Sequence, residues 1–286
     1  MDLVIYKGAE MYLPIIVLGG LGLIFGLFLS IFEKKISIKK NPLLEKIERT
    51  LPQANCGACG YPSCNAYAQA LFEGKDEPGK CIAGGEDLNQ KVASLLNRKV
   101  AGFEKKVAII LCKGSDQKAT LKYNYKGVKT CFAVSLVNNG DKDCNWGCLG
   151  YGDCVEICPF DAIYFNREAM PQVDSERCTG CGKCVDVCPR NIISLVPKYK
   201  GVHIFCKNQD KGVTVRKICS VGCIGCGICV RSCPHKAIVL ENNVARIIYE
   251  KCTNCGICIS KCPTKSIGIM LSKKEEDERS TLQLTG

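Results

Sequence analysis

Hydrophobic and polar positions divide the chain into three regimes. The first is a single apolar run, Leu13 to Phe32, twenty residues without a charge, enough to cross a bilayer as one helix. Lys34, Lys35, Lys39 and Lys40 follow it, whereas only Lys7 is basic before it. The positive-inside rule therefore predicts one pass through the cytoplasmic (inner) membrane with the rest of the chain in the cytoplasm. A cleaved signal peptide would carry its basic residues on the other side and end in a small-x-small site. Gly22 and Gly26 form a small-xxx-small pair suited to packing on another membrane helix. The second regime has helical periodicity. Asn41-Pro42 supplies an N-cap and a first-turn proline to a short helix whose Leu43, Leu44, Ile47 and Leu51 share an apolar side. Ala66 to Phe72 and Leu88 to Leu96 predict two more helices. The third regime is short strands. Val107-Ala-Ile-Ile-Leu-Cys112 and Val202-His-Ile-Phe-Cys206 each end at a cysteine, and Ala162 to Phe165 with Pro171 to Asp174, then Ala237 to Leu240 with Ala245 to Ile248, predict two hairpins.

The third regime is a repeat. Cys144-Asn-Trp-Gly-Cys148 is echoed by Cys219-Ser-Val-Gly-Cys223, and both copies run on to a Cys-Pro pair, Cys158-Pro159 and Cys233-Pro234. Every unit of the pattern ends in chemistry. Cys252-Thr-Asn-Cys255-Gly-Ile-Cys258 followed by Cys262-Pro263 has the spacing of a bacterial ferredoxin loop, in which three thiolates wrap one cubane and the fourth reaches its neighbour. The same spacing recurs at Cys178, Cys181, Cys184 and Cys188, and at Cys223, Cys226, Cys229 and Cys233.

The 24 cysteines in 286 residues would suggest a disulfide scaffold. Their grouping as metal-ligand triplets, and the length of the chain, exclude that and imply a reducing compartment. The formal net charge of +11 would suit nucleic acid, but each oxidised cubane with four thiolates contributes about −2, so five would nearly neutralise the chain. A zinc-binding nucleic-acid module remains the alternative from another class, and it explains neither the membrane helix nor the Cys-Pro endings.

The exchange of fourth ligands assigns Cys223, Cys226, Cys229 and Cys262 to one cluster, and Cys252, Cys255, Cys258 and Cys233 to the next. In the first copy Cys178, Cys181, Cys184 and Cys158 make one site. Its other site departs from the pattern, because Tyr151 stands where the second copy has Cys226. The expected set there is Cys144, Cys148, Cys154 and Cys188. Upstream, Cys56, Cys59, Cys64 and Cys81 supply a separate single cluster. Cys112, Cys131, Cys206 and Cys219 remain, as buried thiols or as ligands of a sixth site; Cys112 and Cys131 could instead join Cys144 and Cys148. His203 and His235 have no partner at ligand spacing and read as surface or strand filler. Trp146, between two candidate ligands, would keep water from a cluster. No Gly-x-Gly-x-x-Gly or Walker-type lysine loop supports a nucleotide site, and no residue set suggests acid–base catalysis.

The membrane helix, the box Leu51-Pro-Gln-Ala-Asn-Cys56-Gly-Ala-Cys59-Gly-Tyr-Pro-Ser-Cys64 with Cys81 and the Gly84-Gly85-Glu86 beyond it, and the ferredoxin motifs together resemble the B component of the Rnf complex, the membrane-bound, ion-translocating ferredoxin:NAD+ oxidoreductase, in its long form with two ferredoxin modules. That resemblance implies an electron-transfer subunit taking electrons from reduced ferredoxin toward NAD+ through other subunits, which would carry the flavin and the Na+ or H+ export. An iron–sulfur subunit of another membrane redox complex, hydrogenase-linked for example, is the nearest rival, and ordinary polyferredoxins lack the amino-terminal box. The expected fold is α+β: an anchor helix over 1–33, a linker helix over 34–49, an α-rich single 4Fe-4S domain over 50–98, two tandem dicluster ferredoxin-like modules over 106–197 and 198–272, and a charged tail over 273–286. Lys251, Lys261 and Lys265 are the expected docking face for an acidic ferredoxin.

Overall fold

Residues 2–36, 41–100 and 104–270 are described by the structure, a computed structural model. The chain divides into two compact units, Met1–Glu45 and Lys46–Gly286. The first is dominated by α1 (Asp2–Ile36). Within it Pro14–Phe32 is apolar on every side, with a mean hydropathy of 2.6 and no residue buried by the protein. At 1.5 Å per residue such a span measures about 28 Å, the thickness of a bilayer's hydrocarbon core. The charged tail and the lysines at 39 and 40 lie outside the described residues.

Helix α2 (Pro42–Thr50) starts where Asn41 accepts the Leu43 amide on its side chain at 3.0 Å. Helices α3 (Cys64–Phe72) and α4 (Gly85–Leu95) follow. Ser63 caps α3 by accepting the Ala66 amide at 3.1 Å. Ile47, Leu51, Tyr67, Leu71 and Val92 are buried in this small helical domain. The Tyr67 hydroxyl donates to the Glu77 carbonyl and accepts the Lys80 amide, which ties down the loop that carries Cys81.

The repeat becomes two similar units of strands and one-turn helices. The first holds β1 (Lys106–Ile110), α5 (Cys131–Leu136), α6 (Asp153–Glu156), β2 (Ile163–Phe165), β3 (Pro171–Val173), α7 (Lys183–Val187) and β4 (Ile193–Pro197). The second holds β5 (Val202–Ile204), α8 (Gly212–Ile218), α9 (Ile228–Ser232), β6 (Ile238–Glu241), β7 (Val244–Ile247), α10 (Ile257–Lys261) and β8 (Ile267–Ile269). The hairpins β2–β3 and β6–β7 form as expected from the sequence. The first and last strands of each unit close on one another antiparallel, with Val107 opposite Val196 and Val202 opposite Ile269. Strands β4 and β8, and helices α5 and α8, carry no clear local signal in the sequence. Buried Val107, Ile109, Ile192 and Val196 fill the first core, with Phe205, Tyr249 and Met270 of the second unit packed against it. Val202, Ile204, Val244 and Ile267 fill the second.

Candidate iron–sulfur centres

Helices α6, α7, α9 and α10 are built alike. Each follows a glycine with positive φ (Gly152 at 90°, Gly182 at 85°, Gly227 at 69°, Gly256 at 75°), and each carries a buried cysteine as its second residue. A left-handed residue is needed to turn the incoming loop onto the helix, and only glycine takes that conformation without a Cβ penalty. Sheet and hairpin backbone then aims amides at sulfur: Ala108 N donates to Cys178, Ala162 N to Cys158 and Ala237 N to Cys233, each at 3.3 Å.

The folded chain collects its thiols in fours. Cys223, Cys226, Cys229 and Cys262 line one cavity, and Cys233, Cys252, Cys255 and Cys258 line the next. Cys158, Cys178 and Cys181 stand around Cys184. In the helical domain Cys56, Cys59 and Cys64 stand around Cys81. Around Tyr151 the structure gathers a different four from the expected set. Cys148, Cys154 and Cys188 line a cavity with Cys131, and Cys144 is not in it. The segment between β1 and α6 folds back so that α5 presents Cys131 beside the Tyr151 and Gly152 amides. The Asp153 carboxylate fixes it there, accepting the Cys131 amide at 2.7 Å and the Phe132 amide at 3.1 Å. The thiol that Tyr151 lacks thus arrives from twenty residues upstream. Cys144 lies in a different cavity with Cys112, Cys206 and Cys219, so Cys112 and Cys131 do not join Cys144 and Cys148 in one set.

All 24 cysteines are free thiols, and the chemistry of the sets suits iron. Burial pushes Cys154, Cys184 and Cys206 up to about 12, and Cys81 and Cys229 to about 11. A thiolate so buried is stable only beside a compensating cation. Cys262 goes the other way: desolvation raises it, but hydrogen bonds from Ser266, Thr264 and the Ile267 and Ser266 amides outweigh that. Among the described residues no group of three His, Cys, Asp or Glu converges on a point that one metal ion could fill. A zinc ion needs its sulfurs about 2.3 Å from a common centre, whereas a cubane puts each thiolate on a different iron and holds them apart. Three of the sets line cavities of their own. Trp146 lines the cavity that holds Cys144 and donates to Asp210 at 3.3 Å. His203 is not a surface residue; it is fully buried in β5.

Two dicluster units of this architecture, with several 4Fe-4S sites and a separate cysteine box, define an iron–sulfur electron carrier of the ferredoxin class. Residues 51–83 match an Fe-S cluster family, and residues 144–195 and 222–266 each match families of the 4Fe-4S dicluster domain. The chain is 41% identical to the B component of the Na+-translocating ferredoxin:NAD+ oxidoreductase complex of Acetobacterium woodii, over 83% of this chain and 72% of that one. It is 43% identical to the B component of the proton-translocating ferredoxin:NAD+ oxidoreductase complex of Clostridium ljungdahlii, over 81% and 82%. With the B component of the ion-translocating oxidoreductase complex of Methanosarcina acetivorans it shares 38% identity over 83% and 90%. The chain belongs to this family, the B components of the Rnf complexes, and is an electron-transfer subunit of a redox enzyme complex.

Proposed function

We propose that this chain is the membrane-anchored wire of an Rnf-type complex, taking single electrons from reduced ferredoxin and delivering them to partner subunits that reduce NAD+ and move an ion. The observation that carries the reading is the gathering of thiols in fours, three of the sets lining cavities of their own. We assign five 4Fe-4S clusters to Cys56, Cys59, Cys64 and Cys81; to Cys158, Cys178, Cys181 and Cys184; to Cys131, Cys148, Cys154 and Cys188; to Cys223, Cys226, Cys229 and Cys262; and to Cys233, Cys252, Cys255 and Cys258. A bound cubane supplies one-electron exchange without making or breaking bonds. The residues fix where it can exchange and at what potential, through burial and amide donors.

Entry at the second module is supported by its ligands, since Cys226 and Cys255 are the exposed cysteines of the chain. Lys251, Lys261 and Lys265 of the same module are exposed and suit an acidic carrier. Onward, Cys154 lies within electrostatic reach of Cys184, and Cys181 within reach of Cys56. The first module therefore leads to the helical domain, whose sequence connects to the anchor. The positive charges after α1 support a cytoplasmic location for all of these sites. The two bacterial relatives are named for different ions, and the coupling belongs to other subunits.

The test is to mix the anaerobic, oxidised full-length protein with reduced ferredoxin and follow the visible charge-transfer absorption. Rapid bleaching is the expected result. A colourless protein that contains zinc and no acid-labile sulfide would overturn the reading.

A further inference from the structure

Four cysteines stand outside the five sets, and packing of one module on the other brings them together. Cys112 follows β1 and Cys206 follows β5, while Cys144 opens the turn to Cys148 and Cys219 ends α8. All four line one cavity, as the thiols of three other sets line theirs. Their sulfurs face a common region. A Cβ built on Gly114 would stand 3.5 Å from both Cys112 Sγ and Cys219 Sγ, and one on Gly147 would stand 3.3 Å from Cys144 Sγ and 3.8 Å from Cys112 Sγ. An isolated bridge between Ala119 and Cys219 holds the two modules in this register, with Thr120 N donating to Ile218 O at 3.0 Å and Ser220 N to Lys118 O at 2.9 Å.

Each of the four sulfurs is addressed by two backbone amides. Gly114 and Cys148 donate to Cys112, and Asn208 and Cys223 donate to Cys206. Trp146 and Gly147 donate to Cys144, and Val221 and Gly222 donate to Cys219. The donor pattern is therefore the same in both copies of the repeat: the residue two ahead plus the cysteine four beyond the second thiol (Cys148 or Cys223), or the residues two and three ahead. Two polar groups with little access to solvent join them. The Asn208 amide donates to Cys144 Sγ at 3.3 Å. Lys142, only 2% exposed, donates to Gly114 O at 3.0 Å, pairs with Asp116 at 3.0 Å and bears electrostatically on Cys112 and Cys219. A neutral thiol that merely fills space packs among apolar atoms. Burial raises all four thiols, and the amides, the buried Asn208 carboxamide and the Lys142 ammonium offset part of that by favouring negative charge.

We propose that Cys112, Cys144, Cys206 and Cys219 hold a sixth 4Fe-4S cluster, two ligands from each module, that joins the two dicluster units into one electron path. The inference rests on reading the other five sets as cluster sites. Cys148 lies within electrostatic reach of Cys112, and Cys206 within reach of Cys223, so this cavity lies between one set of each module. One electron arrives from the second module's set and leaves to the first module's; no bond or proton changes.

The experiment is iron, acid-labile sulfide and zinc analysis on the full-length protein, purified anaerobically from membranes, alongside Cys206→Ala/Cys219→Ala. The expected wild-type content is about twenty-four iron and twenty-four sulfide per chain, at four of each per cubane. The double variant should lose about four of each. In stopped-flow reduction by ferredoxin it should also bleach in two separated phases, the second at least ten-fold slower than in wild type. About twenty iron in the wild type, with or without one zinc, would overturn the sixth site while leaving the other five standing, and this count does not depend on the variant folding. A double variant with wild-type iron would overturn it equally. Zinc without sulfide throughout would instead remove the reading on which the inference rests.

Discussion

His203 shows how much a single residue's setting can change its chemistry. It is fully buried in β5, its Nδ1 is 2.8 Å from the Tyr249 hydroxyl, and its Nε2 has no hydrogen-bond partner. Burial pushes its pKa down to about 4, so the folded protein holds it neutral where the unfolded chain, near 6.5, begins to take a proton. The unfolded state then binds more protons between those values. The stabilisation is complete above about pH 6.5 and is lost as pH falls toward 4. At pH 5.5 the loss is on the order of 1 kcal/mol. Anaerobic urea denaturation at pH 7.5 and 5.5 should therefore show a larger drop in midpoint for wild type than for His203→Phe. Equal drops would mean that His203 takes its proton in the folded state. In sequence this histidine has no ligand-spaced partner and looks like filler; its burial follows from a pairing of β5 with β8 that joins residues more than sixty positions apart.

At the scale of elements, one-turn helices position ligands and caps position the helices. Helix α5 has Thr130 as N-cap, accepting the Ala133 amide at 3.1 Å, and its first two amides end on Asp153. This anchoring explains why Cys131 reaches the cavity from which Cys144 is absent. Cys131→Ser should remove about four iron per chain and leave the spectrum of the inter-module site intact, whereas Cys144→Ser should do the reverse. Electron paramagnetic resonance of the reduced variants separates the two cases, and loss of the same signal in both would refute the Cys131 assignment. The hairpins and the loops with ferredoxin spacing are legible from sequence because their signals are local: a Cys-x-x-Cys-x-x-Cys run, a Cys-Pro ending, an Asn-Asn turn. Helix α5 is not legible, since Cys131 has no neighbouring cysteine and its role depends on a carboxylate twenty-two residues away.

Over the whole molecule the clusters and the charge balance belong together. Each oxidised cubane with its four thiolates contributes about −2 against the formal +11, so several of them bring the loaded chain toward neutrality and its lysines act locally. Lys251, Lys261 and Lys265 are exposed on the second module, whose Cys226 and Cys255 are also exposed. Reversal of all three to glutamate should slow reduction by ferredoxin at least ten-fold at low ionic strength, with the gap closing as salt screens the encounter. Stopped-flow rates across a salt series provide the check, and an unchanged low-salt rate would sink the docking face. Reduction by a small uncharged donor should be unaffected.

The sequence by itself determined the long apolar helix, the two-fold repeat, the ferredoxin spacing and the family, because each is written in residues close together along the chain. It also carried the count of 24 cysteines but not their complete partition. Only the tertiary structure brings Cys131 into one cavity with Cys148, Cys154 and Cys188 and the last four thiols into another between the modules. The physical reason is that a thiolate's partners are chosen by position in space. The position of Cys131 is set by a carboxylate across a loop, and that of Cys112, Cys144, Cys206 and Cys219 by the packing of one module on the other, and neither leaves a periodic trace in the sequence.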